Sequence, residues 1–416
     1  MYESLYRITA HDYQTGDAFG EVNYSDLEIT AARNQLTAAS FGGVLFGITA
    51  GELLEREFVI IKIDAYNPRW ENQDGHWVDG YLDFTDPDDV VLVPPTFELT
   101  TVPKWTTVLT GAMIEFEEIE DGNDFPTFQA SVISGAKRLE KIIADDSSGS
   151  NPGRTPEGLK LLQDDRGMHI FKMINDAKEN WGNIWIRAEI GNQGQDCGTV
   201  SVPHGLGGFK SMAAVLDELA VSESLAGFEY KFKHTLEQTE DGLILADFQS
   251  GGVIGKDLSN DVFFEKGCGL NNITSTSMRR STIGYLNRAI HPVAGLDPYA
   301  IVEQDSADIA DKGIHEEVVD LDLSSTDLRE QWANQNVQIR GDAQKIYTAT
   351  PDTITTDSIK NHHQFLPFID YDIGDLCRYR WQRNSRSRVD GSVRIWGKSV
   401  SVDESRRVNV NLELQA

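Results

Sequence analysis

The strongest constraint on the fold lies in the closing stretch from Asp370 to Leu414. Between Arg406 and Leu414, Val408, Val410, Leu412 and Leu414 alternate with Asn409, Asn411 and Glu413. Period two with one apolar face is the pattern of a half-solvated antiparallel strand. Val400 and Val402 alternate in the same way at the end of the run Val393 to Val402, and Asp403-Glu404-Ser405 is short and polar enough to turn the chain between the two runs. Upstream, Tyr371-Asp372-Ile373-Gly374-Asp375-Leu376 is a tight polar turn bracketed by apolar residues, and Asn384 to Asp390 reads as a charged loop. Turn, strand, charged loop and closing hairpin together read as the end of a small β-barrel.

The rest of the chain repeats the rhythm with one interruption. Residues 1–60 read as all-β, with strands at Tyr6 to Ala10, Leu27 to Thr30, Ser40 to Phe46 and Glu57 to Ile61, and turn residues between them. Thr107 to Glu120 is a long strand, Asp121-Gly122 a hairpin signal and Phe125 to Ser134 the return. A short helix leaves the sheet at Gly135 to Ile143, and Asp145 to Pro156 has linker composition. Met168, Phe171, Ile174 and Ala177 fall at helical spacing, so His169 to Asn180 is an amphipathic helix, and Ser211 to Leu225 is another. Strands between and after them at Ile184 to Ile190, Phe228 to Phe232 and Leu243 to Phe248 make this part α/β. Beyond Gly267, Asn272 to Ser277 and Tyr285 to His291 are strand-like. Pro298 to Lys312 has helical spacing and ends at Gly313 as a C-cap, and Ser325 or Thr326 opens a helix carrying Leu328, Trp332 and Val337.

Residues 62–95 break the pattern. Trp70, Trp77, Tyr81 and Phe84 sit among Asn, Asp, Gly and Pro. They read either as anchors packing an irregular loop on its own sheet or as contacts for a glycan or protein partner, because a sugar's apolar face stacks on an aromatic ring.

Charge narrows the partners. The chain carries 37 Lys and Arg against 66 Asp and Glu, a formal net charge of −29. Such a surface repels duplex DNA and anionic membranes over most of its area. It serves solubility, or it keeps a concentrated assembly subunit from associating early. No run approaches the ~18 apolar residues of a membrane span, and Met1 to Leu5 has no signal-peptide pattern. Cys197, Cys268 and Cys377 are scattered, which argues for buried free thiols in a protein made in a reducing cytoplasm, and against a disulfide framework or zinc site.

Catalytic patterns are not met. Gly205 to Ser211 would be a phosphate loop only with glycine before Lys210, where Phe209 stands, and a turn into the helix at Ser211 accounts for it. His362-His363 has no third ligand at metal spacing. Asp86-Pro87-Asp88-Asp89 and the acidic turn at Asp121 do not match a calcium loop. No nucleophile elbow or zincin helix is present. The expectation is no catalytic residue, no metal and no cofactor.

The order of parts resembles phage tail-tip or baseplate hub proteins, the tail-associated minor tail hubs of long-tailed phages of Gram-positive hosts. The residues that carry the resemblance are Asn34 to Phe46, Thr110-Gly111-Ala112-Met113-Ile114 with Val132 to Leu139, Phe263 to Ser275, and Asp305 to Gly313 followed by Asp370 to Cys377 and the final hairpin. Lys312 departs from the family, which often has an aromatic there, and residues 62–95 look like an addition. The resemblance implies an α+β, β-rich fold with two small β-barrel modules flanking an α/β insert. The corresponding domains are 1–146 (first barrel, with the aromatic loop at 62–95), 147–163 (linker), 164–262 (α/β) and 263–416 (strand set, helices and second barrel).

It implies a structural virion protein of the tail tip, made in the host cytoplasm. Three copies would form a ring coupling the sixfold tail tube to the threefold tip, with genome DNA passing through the channel without specific binding. Its partners would be the distal tail ring protein, the tail tube or tape measure protein, and tip or fibre proteins. Net charge adds the expectation of an acidic channel wall. Two other readings are a carbohydrate-binding receptor-recognition protein or glycoside hydrolase of the tail, and a sixfold distal tail ring protein.

Overall fold

The alternating segments do form strands. The computed structural model describes residues 4–45, 48–68, 76–78, 82–83, 91–92, 96–98, 105–120, 126–142, 159–161, 166–182, 184–188, 200–202, 211–219, 229–240, 242–251, 254–282, 284–292, 299–303, 306–319, 326–341, 344–360, 363–383 and 386–415. The N-terminal part contains β1 (Tyr6–Asp12), β2 (Ala18–Glu21), β3 (Asp26–Ala32), β4 (Ala38–Val44) and β5 (Val59–Tyr66). It also contains a helix, α1 (Ile48–Glu55), where an all-β segment was expected. Residues 62–66, assigned from sequence to the aromatic loop, are the inner half of β5, with Ile63 and Ala65 buried. Three short strands lie within the loop, β6 (His76–Val78), β7 (Leu82–Asp83) and β8 (Val91–Leu92), and β9 (Thr96–Glu98) just beyond it, paired as β6–β9 and β7–β8.

The long hairpin is β10 (Trp105–Ile119) with β11 (Thr127–Ser134), followed by a 3₁₀ turn at Gly135–Glu140 that Ser134 caps through the Ala136 N–H. The expected turn at Asp121-Gly122 lies outside the described residues. The expected linker 147–163 includes a strand, β12 (Leu159–Leu161), which pairs with β14 (Val200–Val202). The α/β part has α2 (Arg166–Trp181), β13 (Ile186–Ala188), α3 (Met212–Leu219), β15 (Glu229–Thr239) and β16 (Gly242–Gly251). β13 runs parallel to β16 and β15 antiparallel to it, and Ile170, Ile174, Val215 and Phe248 share a separate small core.

The C-terminal part begins with β17 (Phe263–Lys266), β18 (Ile273–Ser281) and β19 (Arg288–Pro292). Helical spacing over Pro298 to Lys312 is right only for its second half: β20 (Tyr299–Glu303) precedes α4 (Ser306–Lys312). Gly313 does cap that helix, at φ +77° with its N–H on the Ile309 carbonyl. Then come β21 (Glu316–Val318), α5 (Thr326–Arg340), β22 (Gln344–Pro351), α6 (Thr356–Lys360), β23 (Leu376–Arg383), β24 (Arg386–Val402) and β25 (Val408–Gln415). The charged loop expected over Asn384 to Asp390 is largely strand, because β23 and β24 pair up to Arg383 opposite Arg386.

The main departure from expectation concerns the two barrels. The structure is β-rich, but its N- and C-terminal strands share one thirteen-stranded sheet. The order is β18-β22-β25-β24-β3-β4-β11-β10-β5-β1-β2, with β23 and β17 branching from β24. Among the described residues this path does not close: β18 and β2 stand at its ends. The join is antiparallel pairing of β24 with β3, Val400 opposite Ile29 and Val402 opposite Leu27. One core runs across it, from Ile8, Phe41 and Phe128 to Val400, Val410 and Leu414. An unpaired strand edge invites association, and here the two strand sets cover one edge of each other.

Candidate functional site

The three parts of the chain meet in a polar junction, and its most buried charges are ones that sequence reasoning did not select. β3 ends at Ala32. Arg33 donates its backbone N–H to Trp396 of β24 and lays its guanidinium 4.4 Å above the Trp396 ring. Its Nη2 reaches Glu229 Oε1 at 2.5 Å, with both side chains only 3% exposed. Glu229 opens β15, so this pair ties the insert to the N-terminal sheet. The second carboxylate oxygen accepts the Ile254 N–H at 2.9 Å and lies 3.7 Å from Arg394 of β24. A buried carboxylate with guanidinium and amide partners is held because any one vacancy would leave a charge without compensation. Beside it, the Tyr230 hydroxyl donates to Asp217 Oδ1 of α3 at 2.6 Å, with the Asn34 carbonyl oxygen 3.0 Å from the same hydroxyl as the alternative acceptor. Burial, with Asp217 alongside, pushes the Tyr230 hydroxyl far above its usual range, and burial also raises the Asp217 carboxyl.

A second buried charge sits under the Tyr371–Leu376 turn. Lys398 lies on the apolar face of β24, in step with Val400 and Val402. Its Nζ reaches Asp372 Oδ1 at 2.8 Å and stands 3.5 Å from the Phe368 ring. Burial lowers the Lys398 ammonium from its ordinary value, and Asp372 restores only part of it. Burial by itself would raise the Asp372 carboxyl, but Lys398 and Lys231, the latter 3.7 Å away, hold it below the carboxylate range.

The turn itself depends on two glycines. Gly374 has φ +88° and Gly255 φ +114°, and a Cβ on Gly374 would stand 2.3 Å from the Ile254 carbonyl oxygen. That close approach lets Asp375 accept the Lys256 N–H at 2.7 Å, while Leu376 donates its N–H to the Lys256 carbonyl and accepts the Leu258 N–H.

Between β10, β15–β16 and this turn is a cavity of about 750 Å³, lined among others by Thr106, Lys231, His234, Gln249, Ser250 and Asp372. His234 is buried, and among the described residues no group meets either ring nitrogen at full hydrogen-bond geometry, the Thr110 backbone approaching it. Burial pushes its imidazole down to about 4, although Asp372 and the Thr110 backbone pull the other way. The arrangement is suited to locking three parts of one chain together. Among the described residues its carboxylates and cations pair with each other.

Of the four aromatic candidates, one lies among the described residues. Trp77 lies on β6 opposite Phe97, and Trp70, Tyr81 and Phe84 fall outside the described residues. Of the histidine pair, His362 also falls outside, while His363 is exposed and donates its N–H to the Ser358 carbonyl. Among the described residues no group of three His, Cys, Asp or Glu could hold a metal. No described helix is long and apolar enough to cross a membrane. Cys377 is buried, its thiol pushed up to about 12 by burial, whereas Cys268 is half-buried. Ser211 caps α3 by accepting the Ala214 N–H, as a turn into a helix requires.

No family profile matches the sequence, and no curated protein matches it. Solved structures do match. The 43 kDa tail protein of prophage MuSo2 from Shewanella oneidensis superposes with TM-score 0.53 at 11% identity, over 99% of this chain and 96% of that one. A tail protein from Neisseria meningitidis MC58 gives TM-score 0.53 at 9% identity with the same coverage. The chain shares the fold of these two tail proteins. The match is end to end, so the junction and the strand sets it joins all lie within the shared fold. At 9–11% identity the likeness carries the fold and not individual side chains such as those of the Arg33–Glu229 and Lys398–Asp372 pairs.

Proposed function

We propose that the chain is a structural tail-tip hub of a phage-like particle. Three copies form a ring that adapts a sixfold tube to a threefold tip and surrounds the channel for DNA. The observation that carries this reading is the likeness, over nearly the whole of both chains, to two proteins described as tail proteins. Two features of the molecule support it. Arg33, Glu229 and Arg394 bring one charged group from each of the three parts to a single buried carboxylate, as a load-transmitting ring subunit needs. Its chain supplies one strand set from each end, so three copies present six sets in a ring, the two sets of each copy being joined through β3–β24. The −29 charge suits a channel wall that lets DNA pass without holding it. The subunit is not an enzyme in this account, and its partners are the tube-side ring and the tip or fibre proteins.

Gold-labelled antibody against the chain, applied to intact particles, tests the placement. Labelling at the tail end distal to the capsid is the expected result. Labelling along the tube, at the capsid, or nowhere on particles would overturn it.

A further inference from the structure

We propose that the cavity between β10 and β15 receives an extended acidic segment of a partner protein, laid along the open edge of β15. This goes beyond the ring reading above and does not depend on how many copies form the ring. Thr106, Thr107 and Val108 line one side of the cavity, and Lys231, Phe232 and Lys233 the other. β15 ends the order β13-β16-β15, so β16 pairs one of its edges and no described strand pairs the other. β10 is alike: from Trp105 to Thr110 it pairs with β5, and β11 joins its second edge only from Gly111. Tyr230 gives its backbone N–H to the Asn34 side chain at 3.3 Å, away from β16. Antiparallel pairing alternates, so Phe232 and His234 turn their N–H and carbonyl to that same open side. Among the described residues nothing bonds the backbone of Phe232 there.

Charge says what would lie along this edge. Lys231 and Lys233 share one face of β15, and Lys256 stands across the cavity from them. Lys231 is 3.7 Å from Asp372, a carboxylate already held by Lys398 at 2.8 Å. Lys233 and Lys256 are exposed, and among the described residues neither has a carboxylate partner. The other carboxylates at the cavity are committed to backbone. Asp375 accepts the N–H groups of Lys256 and Asp372, and Asp370 that of Leu366, each at 2.7 Å. In a chain of net charge −29, spare cations at a cavity are places for carboxylates from outside.

The strand sets the pattern of the ligand. A segment paired with β15 places each side chain opposite one of β15 on the same face. Acidic residues would meet Lys231 and Lys233. Between them an apolar residue would meet Phe232, whose ring lies 5.7 Å from that of Phe248 on the other face. The segment recognised therefore reads acidic, apolar, acidic. Main-chain bonds supply its affinity and the alternate side chains its specificity. A nucleic acid suits the site less, because the rest of the acidic surface repels it.

The test is fluorescence anisotropy of the full chain with a labelled short peptide alternating glutamate and valine. Saturable binding is expected, with slowed amide exchange in β15. Lys233→Glu/Lys256→Glu, folded by circular dichroism, should bind about tenfold or more weakly. So should the same peptide methylated on its backbone nitrogens, which cannot form the main-chain bonds. Absence of binding, or equal binding of a lysine–valine peptide, would overturn the proposal. Equal binding of the methylated peptide would reduce the site to surface charge and overturn edge pairing. Tighter binding of an oligothymidylate would make it a nucleic-acid site. Exchange in β15 that is slow in the concentrated chain alone and speeds up on dilution would put a second copy there in place of a partner. None of these outcomes bears on where the chain sits in the particle, which the antibody labelling decides.

Discussion

At the scale of single residues, the junction separates two kinds of buried charge. Lys398 is almost wholly enclosed, while its partner Asp372 keeps about 40% of its side chain exposed at the cavity mouth. Asp372→Ala strands a buried ammonium and should cost about 3 kcal/mol, whereas Lys398→Met removes the charge along with its need for a partner and should be close to neutral. Urea unfolding of the two variants checks this, and equal losses would show that the pair itself stabilises the fold. His234 gives a pH signature. Its folded-state value of about 4 lies below the ordinary 6.5, so the unfolded chain binds the proton first as pH falls. Its contribution is complete above pH 6.5, is lost between 6.5 and 4, and is flat below. His11, also lowered by burial, acts with the same sign. His234→Leu should therefore make the fall in urea midpoint between pH 7 and pH 4 shallower, with the His11 share remaining. An unchanged slope would mean that His234 is not enclosed as the structure shows.

At the scale of elements, period two was the legible signal. The closing hairpin could be read because Val408, Val410, Leu412 and Leu414 face one core and their neighbours face water. The same holds for β3, whose burial alternates strictly from Asp26 to Thr30. Lys398 was also visible in principle, as a lone cation on the apolar parity of its strand. The misreadings have physical causes. α1 is short and lies among strands, so its helical period had little length in which to show. Helical spacing over Pro298 to Lys312 does not exclude β20, because Tyr299, Ile301 and Val302 fit either period over so short a run. The join of β24 to β3 was not readable, since edge pairing between segments far apart in sequence leaves no local trace. That join has a consequence. Leu412→Ala in β25 should cost about 3 kcal/mol. It should also lower amide-exchange protection in β3 and β4, because one core spans the join. Loss confined to β22, β24 and β25 would indicate two independent modules after all.

At the scale of the whole molecule, the account is mechanical. Buried ion pairs, facing glycines and a shared sheet bind three parts of the chain into one unit. Its net charge of −29 opposes contact with duplex DNA and anionic membranes over most of the surface. Fold likeness to tail proteins supplies the setting. The measurement that bears most directly on it is a reconstruction of the tail tip computed without imposed symmetry. Three copies of this chain around the tail axis, with two strand sets from each facing the channel, is the predicted result. Six copies would assign the chain to the tube-side ring instead, and one or two, or a position off the axis, would contradict the account outright.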